Sequence, residues 1–266
     1  MFQSSAKLVF FEESMIDKIQ DIAYRVGEMI MEVYVSDFGV AYKGDKSPIT
    51  LADKIASEYI EQQLLRYFPD IPIINEEKSN RDFSIRQKWT KCWIVDPIDG
   101  TKEFVKKNGE FTINIALVEN GVPVFGLIYA PAMDLMYYGA KGEGAFKKEG
   151  NVWSKIRPSL NYESLEKVSV ASSRSHPDHA VNAFIKRLLA QGKEVNILQM
   201  GSSLKLCMVA EGKADVYPRF GDTMEWDIAA GHAIVKYAGK EVYQKCSQDP
   251  LVYNKSNLKN PHFLVA

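Results

Sequence analysis

From residue 15 to 34 the apolar positions Met15, Ile19, Ile22, Val26, Met29, Ile30 and Val33 recur at three- and four-residue intervals, the signature of a helix with one buried face. Ser14 stands where an N-cap belongs. A loop of Gly, Asp and Pro follows, and Thr50 opens a second helix in which Leu51, Ile55, Tyr59 and Leu64 share a face before Pro69 ends it. The period then shortens. Residues 71–74 and 92–95 are short apolar runs, one leading into Glu76 and the other into Asp96. Residues 112–117 alternate polar with apolar, and Asn120-Gly121 makes a hairpin turn into 122–129. Further strands are expected at 135–138 and, across a Gly-rich turn, at 145–148, which together make an antiparallel meander.

Beyond about Val152 short strands alternate with helices: strands at 168–171, 196–199, 215–217 and 241–243, and helices at 178–190, 202–210 and 226–237, the last stopped by Gly239. The fold class is therefore α/β, with an α+β half at 1–155 and an α/β half at 156–266. Nothing between them has linker composition, so the halves should share a large interface and a cleft suited to chemistry.

Composition narrows the function. With 46% hydrophobic residues in 266, a sizeable core can form, and 33 Lys plus Arg against 34 Asp plus Glu argues against nucleic acid as a partner. Cys92, Cys207 and Cys246 are odd in number and unpaired in spacing, which fits a reducing compartment and no zinc site. No leader pattern or bilayer-length apolar run is present, so a cytoplasmic protein without stable membrane insertion is expected.

The sharpest local feature is Asp96-Pro97-Ile98-Asp99-Gly100-Thr101, a strand running into a turn that presents two carboxylates. Crowded like charges disfavour ionisation unless a cation neutralises them, and carboxylate oxygens suit a hard ion such as magnesium. Gly100 would let backbone approach a phosphate closely. A plain Asp-rich turn would read the same from Asp-Pro-x-Asp alone. Glu76-Glu77 could join the same cleft or be solvated, Asp227 could merely favour a helix dipole, and Thr50-x-x-Asp53 resembles a capping box. Gly139-x-x-Gly142-x-Gly144 has the wrong spacing for a dinucleotide loop and reads as a hairpin turn. His176 and His179 lack a metal motif, and Lys106-Lys107 and Lys147-Lys148 read as solvated faces.

Taken together, Asp53, Glu76-Glu77, the six residues from Asp96 to Thr101 and Trp226-Asp227 resemble the signature set of the inositol monophosphatase superfamily. Thr101-Lys102-Glu103-Phe104 with Asn108-Gly109-Glu110-Phe111-Thr112 is similar to its bacterial 3′(2′),5′-bisphosphate nucleotidases of CysQ type. The likeness continues through Gly201-Ser202-Ser203-Leu204-Lys205, Ala210-Glu211-Gly212, Tyr217-Pro218-Arg219-Phe220-Gly221 and on to His232.

That resemblance implies an α/β/α/β/α layered sandwich and a magnesium-dependent phosphatase that converts adenosine 3′,5′-bisphosphate to AMP, in support of sulfate assimilation. One Mg2+ would sit at Glu76, Asp96 and the Ile98 carbonyl, a second at Asp96, Asp99 and Asp227, with a third allowed for. Asp53 and Thr101, with Glu76, would act on the attacking water. The phosphate would meet Glu76, Ile98, Asp99, Gly100, Thr101 and Asp227, and the nucleotide would meet Ser202, Ser203, Lys205 and Arg219, with Arg174 and His176 as further candidates. Lithium inhibition, a monomer or homodimer, and peripheral placement at the inner face of the membrane are further implications. An inositol or sugar phosphatase, and a non-catalytic regulatory protein, are the competing readings.

Overall fold

The computed structural model describes residues 13–36, 40–42, 48–78, 81–174, 179–245 and 247–266, with backbone alone at 13–14, 40–42 and 48–50. The first half runs α1 (Glu13–Val35), β1 (Val40–Tyr42), β2 (Pro48–Thr50), α2 (Leu51–Tyr67), β3 (Ile73–Asn75), α3 (Phe83–Arg86), β4 (Lys91–Asp99), α4 (Thr101–Val105), β5 (Thr112–Glu119), β6 (Val122–Ala130), β7 (Leu135–Ala140), β8 (Gly144–Glu149) and β9 (Val152–Lys155). β3 to β9 form one seven-stranded sheet in chain order. β3 and β4 pair parallel and every later neighbour antiparallel.

Period-two alternation sorts the side chains of this sheet between two cores. Trp93, Val95, Ile113, Ile115, Leu117, Phe125 and Leu127 face α1 and α2, where they meet Ile19, Val26, Ile30, Ala56 and Ile60. Cys92, Ile94, Ala116, Val118 and Ile128 face the other way, toward the helices of the second half.

The second half runs β10 (Lys167–Ser173), α5 (His179–Ala190), β11 (Glu194–Met200), α6 (Leu204–Ala210), β12 (Tyr217–Arg219), α7 (Glu225–Ala238), β13 (Val242–Gln244) and β14 (Phe263–Val265). β10 and β11 pair parallel, β12-β14-β13 is antiparallel, and a parallel bridge from Val170 to Val216 joins the two sets. α6 and α7 fill the space between the two sheets, and α5 packs behind the second through Phe184, Leu188 and Val168. The layers therefore run α/β/α/β/α.

α7 lies on the large sheet only because two cross-strand glycines make room. Gly126 and Gly139 are partners in the β6–β7 register, and a Cβ at either would stand 2.2 Å from the Ala230 carbonyl oxygen or 2.6 Å from the Ile234 Cα. This close approach carries the N-terminus of α7, and with it Asp227, to the end of the sheet where the acidic loop emerges.

Several expectations are corrected. α1 starts at Glu13, so Ser14 lies inside its first turn rather than at the cap. β9 extends the meander past Val152, because Val152 to Lys155 pairs back on β8. The strand expected at 215–217 is displaced to 217–219: the Asp215 carboxylate accepts the Ser169 N–H at 2.7 Å, and Ala171 donates to the Val216 carbonyl, so these two residues serve the β10 edge. The short α3 and α4 and the C-terminal β14 had no periodicity long enough to read. His176 lies outside the described residues, as does the side chain of Thr50. Among the described residues no helix is long and apolar enough to cross a membrane.

Candidate active site

β4 ends irregularly, and the irregularity builds the site. Asp96 pairs with Asn114 and Asp99 with Thr112, so β4 spends three steps where β5 spends two. Residues three apart on a regular strand point to opposite faces, but one extra residue restores them to the same side. Pro97, which has no N–H to give the ladder, sits within the bulge. The Asp96 Oδ1 accepts the Ile98 N–H at 3.1 Å, which closes the turn. Gly100 then takes a φ of 91°, a left-handed conformation that favours glycine, and Thr101 begins α4.

Glu76 arrives beside this loop because its N–H donates to the Val95 carbonyl at 3.3 Å, extending the β3–β4 pairing. Asp227 comes from the first turn of α7, where its Oδ2 accepts the Met224 N–H at 2.8 Å and caps the helix. One carboxylate oxygen from each of Glu76, Asp96 and Asp227 falls within 4.8 Å of the others. Burial, then the charges of Glu76, Asp99 and Asp227, pushes the Asp96 carboxyl well above its ordinary range. Burial and then Asp99 do the same to Asp227. An oxygen-only donor set whose members repel one another fits a hard divalent cation, since binding removes both the repulsion and the unmet charge. Asp99 is not one of that trio, but it lines the same cavity and its charge helps to raise both Asp96 and Asp227. Burial raises Asp99 itself to about 6, opposed by Lys205 and by the Ser203 N–H that it accepts.

Glu76 and Asp227 of the trio line a cavity of about 380 Å³ together with Asp99, Gly100 and Thr101, and Ser202, Ser203, Lys205 and Arg219 line it as well. Lys205 Nζ donates to the Ser202 and Met200 carbonyls at 2.5 and 3.3 Å, and burial lowers its pKa to about 8 against the pull of Asp99. Ser202 Oγ and Arg219 Nε are buried and unpartnered. Trp93 Nε1 and Asn114 Nδ2 share that state, but only Ser202 and Arg219 of the four residues line the cavity. Ser203 lines the cavity too, yet its hydroxyl is engaged by Thr112 Oγ1 at 2.7 Å and Asn114 Oδ1 at 2.8 Å, which ties α6 to the sheet.

Asp53 is buried in the first turn of α2 and outside the cavity lining, while α4, which starts at Thr101, packs against β2 immediately before α2. The Arg174 guanidinium forks onto Glu110 at 2.9 and 2.7 Å, so in this structure it faces a carboxylate of the chain. Sequence reasoning left Glu110, Asn114 and Thr112 without roles. A polar residue in a buried strand was the available signal, and Asn114 and Thr112 are 1% and 0% exposed.

The model of the inositol monophosphatase family matches residues 12–262. The 3′(2′),5′-bisphosphate nucleotidase CysQ of Buchnera aphidicola subsp. Acyrthosiphon pisum is 46% identical over 244 residues, covering 89% of each chain. The protein of the same name from Escherichia coli K12 is 42% identical over 255 residues, 95% of this chain and 99% of that one. The crystal structure of CysQ from Bacteroides thetaiotaomicron superposes with a TM-score of 0.83 at 39% identity, over 96% of this chain and 97% of that one.

Proposed function

This chain belongs to the inositol monophosphatase family, and from that premise we propose that it is a 3′(2′),5′-bisphosphate nucleotidase that hydrolyses adenosine 3′,5′-bisphosphate to AMP and phosphate. The observation that carries this reading is the juxtaposition, at one cavity, of a crowded acidic cluster and a side lined by Lys205, Arg219 and Ser202. The first can hold cations against an ester phosphate, and the second offers donors to another phosphate on the same molecule.

Glu76, Asp96 and Asp227, completed by Asp99 and the Ile98 carbonyl, would hold two Mg2+, with capacity for a third. Magnesium supplies charge neutralisation on phosphate and leaving group and lowers the pKa of water. The backbone at Gly100 and Thr101 would receive the phosphate, and Thr101 together with Asp53 would orient the attacking water. Glu76, which lines the same cavity, would contribute to that orientation. A lithium ion, competing for a cation position, would suppress turnover. The free, buried thiols of Cys92 and Cys207 accord with a cytoplasmic setting.

The test is magnesium-dependent phosphate release from adenosine 3′,5′-bisphosphate beside inositol 1-phosphate, at equal low concentrations, with and without lithium. Preferential release from the nucleotide is expected, with turnover suppressed by lithium. Preference for inositol phosphate would overturn the substrate, and release from neither would overturn the enzyme.

A further inference from the structure

The turn between β11 and α6 adopts a conformation that its own sequence does not favour. Ser202 has a φ of 45°, in the left-handed region that a serine seldom occupies and that persists only when its surroundings enforce it. The Gly201 N–H is caught by Glu110 Oε2 at 2.7 Å, the Ser202 carbonyl by Lys205 Nζ at 2.5 Å, and the Ser203 hydroxyl by Thr112 and Asn114. Of these holders, Glu110 is fixed most completely. It is 8% exposed, and the Arg174 fork occupies both its oxygens at 2.7 and 2.9 Å.

The backbone is moulded to the same residue. A Cβ on Gly201 would stand 2.8 Å from the Glu110 carbonyl oxygen, 2.9 Å from the Glu110 Cβ and 2.7 Å from the Glu103 Cγ, so this contact requires glycine. Across the cavity mouth, a Cβ on Gly100 would meet the Glu110 carbonyl oxygen and the Ser202 Cβ, each at 3.2 Å. Glu110 thus lies between the phosphate-facing turn of the first half and the Ser202 turn of the second. Its carboxylate bonds are charge-assisted and sit at the seam between the halves.

We infer that Glu110, locked by Arg174, is a positioning residue. It sets the Gly201–Ser202 turn so that the Ser202 side chain lines the part of the cavity that would take the second phosphate of a bisphosphate substrate. The inference rests on the proposed nucleotidase reading for the identity of that phosphate, but the turn geometry is independent of it. Glu110 touches no substrate and acts only through Ser202.

The experiment is a double-mutant cycle in the full chain: wild type, Glu110→Gln, Ser202→Ala and the double variant, with KM and kcat for adenosine 3′,5′-bisphosphate at saturating magnesium. Loss of a charge-assisted bond should raise KM by about ten-fold or more in Glu110→Gln while kcat moves by less than about three-fold. In the Ser202→Ala background the same change should add less than about two-fold. Additive effects, or a fall in kcat at unchanged KM, would overturn the inference.

Arg174→Lys breaks the fork while sparing the carboxylate, and it serves should Glu110→Gln not fold. A smaller KM rise is expected, again absent in the Ser202→Ala background, and additivity there would count against the inference. A crystal structure of whichever variant folds supplies a readout that needs no substrate. Ser202 is expected to leave the left-handed region, and retention of its positive φ would sink the idea. Failure of wild type to turn over the bisphosphate would instead refute the nucleotidase reading, and the crystal structure would still decide the role of Glu110.

Discussion

At its N-terminal end α7 brings Asp227 against Glu76 and Asp96, while two residues earlier Glu225, 0% exposed, is met by Lys255 Nζ at 2.5 Å and by the N–H groups of Asn254 and Lys255 at 2.6 and 3.0 Å. At the far end His232 and Lys236 close on Glu241, and the Tyr253 hydroxyl lies 2.9 Å from His232 Nδ1. One helix therefore carries buried charge that is compensated within the chain and buried charge that is not. The compensated groups join the C-terminal segment to the core. The uncompensated ones raise the free energy of the metal-free fold, a cost tolerated at sites that await a ligand.

The largest effect that could break this comparison is on turnover. Asp96→Asn should lower kcat by at least about a hundred-fold, because it disturbs the geometry of the whole carboxylate set, yet raise the melting temperature of the metal-free protein by relieving repulsion. Turnover near wild type, or a lower metal-free melting temperature, would remove the distinction. Glu225→Ala should do the opposite to stability, costing about 3 kcal/mol in urea unfolding of the metal-free protein, since it leaves two backbone donors unmet and the Lys255 ammonium without its carboxylate. A loss below about 0.5 kcal/mol, the range of an ordinary surface change, would show that the pair is not structural.

Magnesium at about a hundred times its Kd should stabilise wild type by about 2.7 kcal/mol through linkage, and Asp96→Asn much less. Equal stabilisation of both would place the ion elsewhere. The smallest effect is in pH. Burial raises Asp99 from its ordinary 3.8 to about 6, so its contribution to metal-free stability is full below 3.8 and lost as pH rises through about 6. Burial holds His232 below its ordinary 6.5, so its contribution is full above 6.5 and lost as pH falls through the lower value. In melting curves without metal, the advantage of Asp99→Asn over wild type should grow from pH 4 to 6, and the deficit of His232→Gln should shrink as pH drops below 6.5. Slopes of the same sign would contradict the contrast between the two ends.

Much of this was legible in the chain itself. The seven apolar positions of α1, the alternation in β5 and the Asn120-Gly121 turn each produced the element expected of them. The carboxylates of the Asp96 loop, Glu76 and Asp227 could be named as candidates from residue type and local context. Their facing could not. A regular strand would have divided Asp96 from Asp99, and only the β4–β5 register shows the bulge that reunites them. Glu110 was similarly opaque, because an acidic residue ahead of an apolar strand looks the same whether it is solvated or clamped by an arginine from the other half.

What the sequence determined by itself is therefore local. It set the period of each long element, the turn chemistry at Gly100 and Asn120-Gly121, and the supply of oxygen ligands, because each depends on neighbours a few residues away. The tertiary structure decided which carboxylates share a site, which are neutralised, and which serine hydroxyl is left unspent. Those outcomes depend on strand register and on the close approach of α7 over Gly126 and Gly139. Such contacts join residues far apart in the chain, and no local period records them.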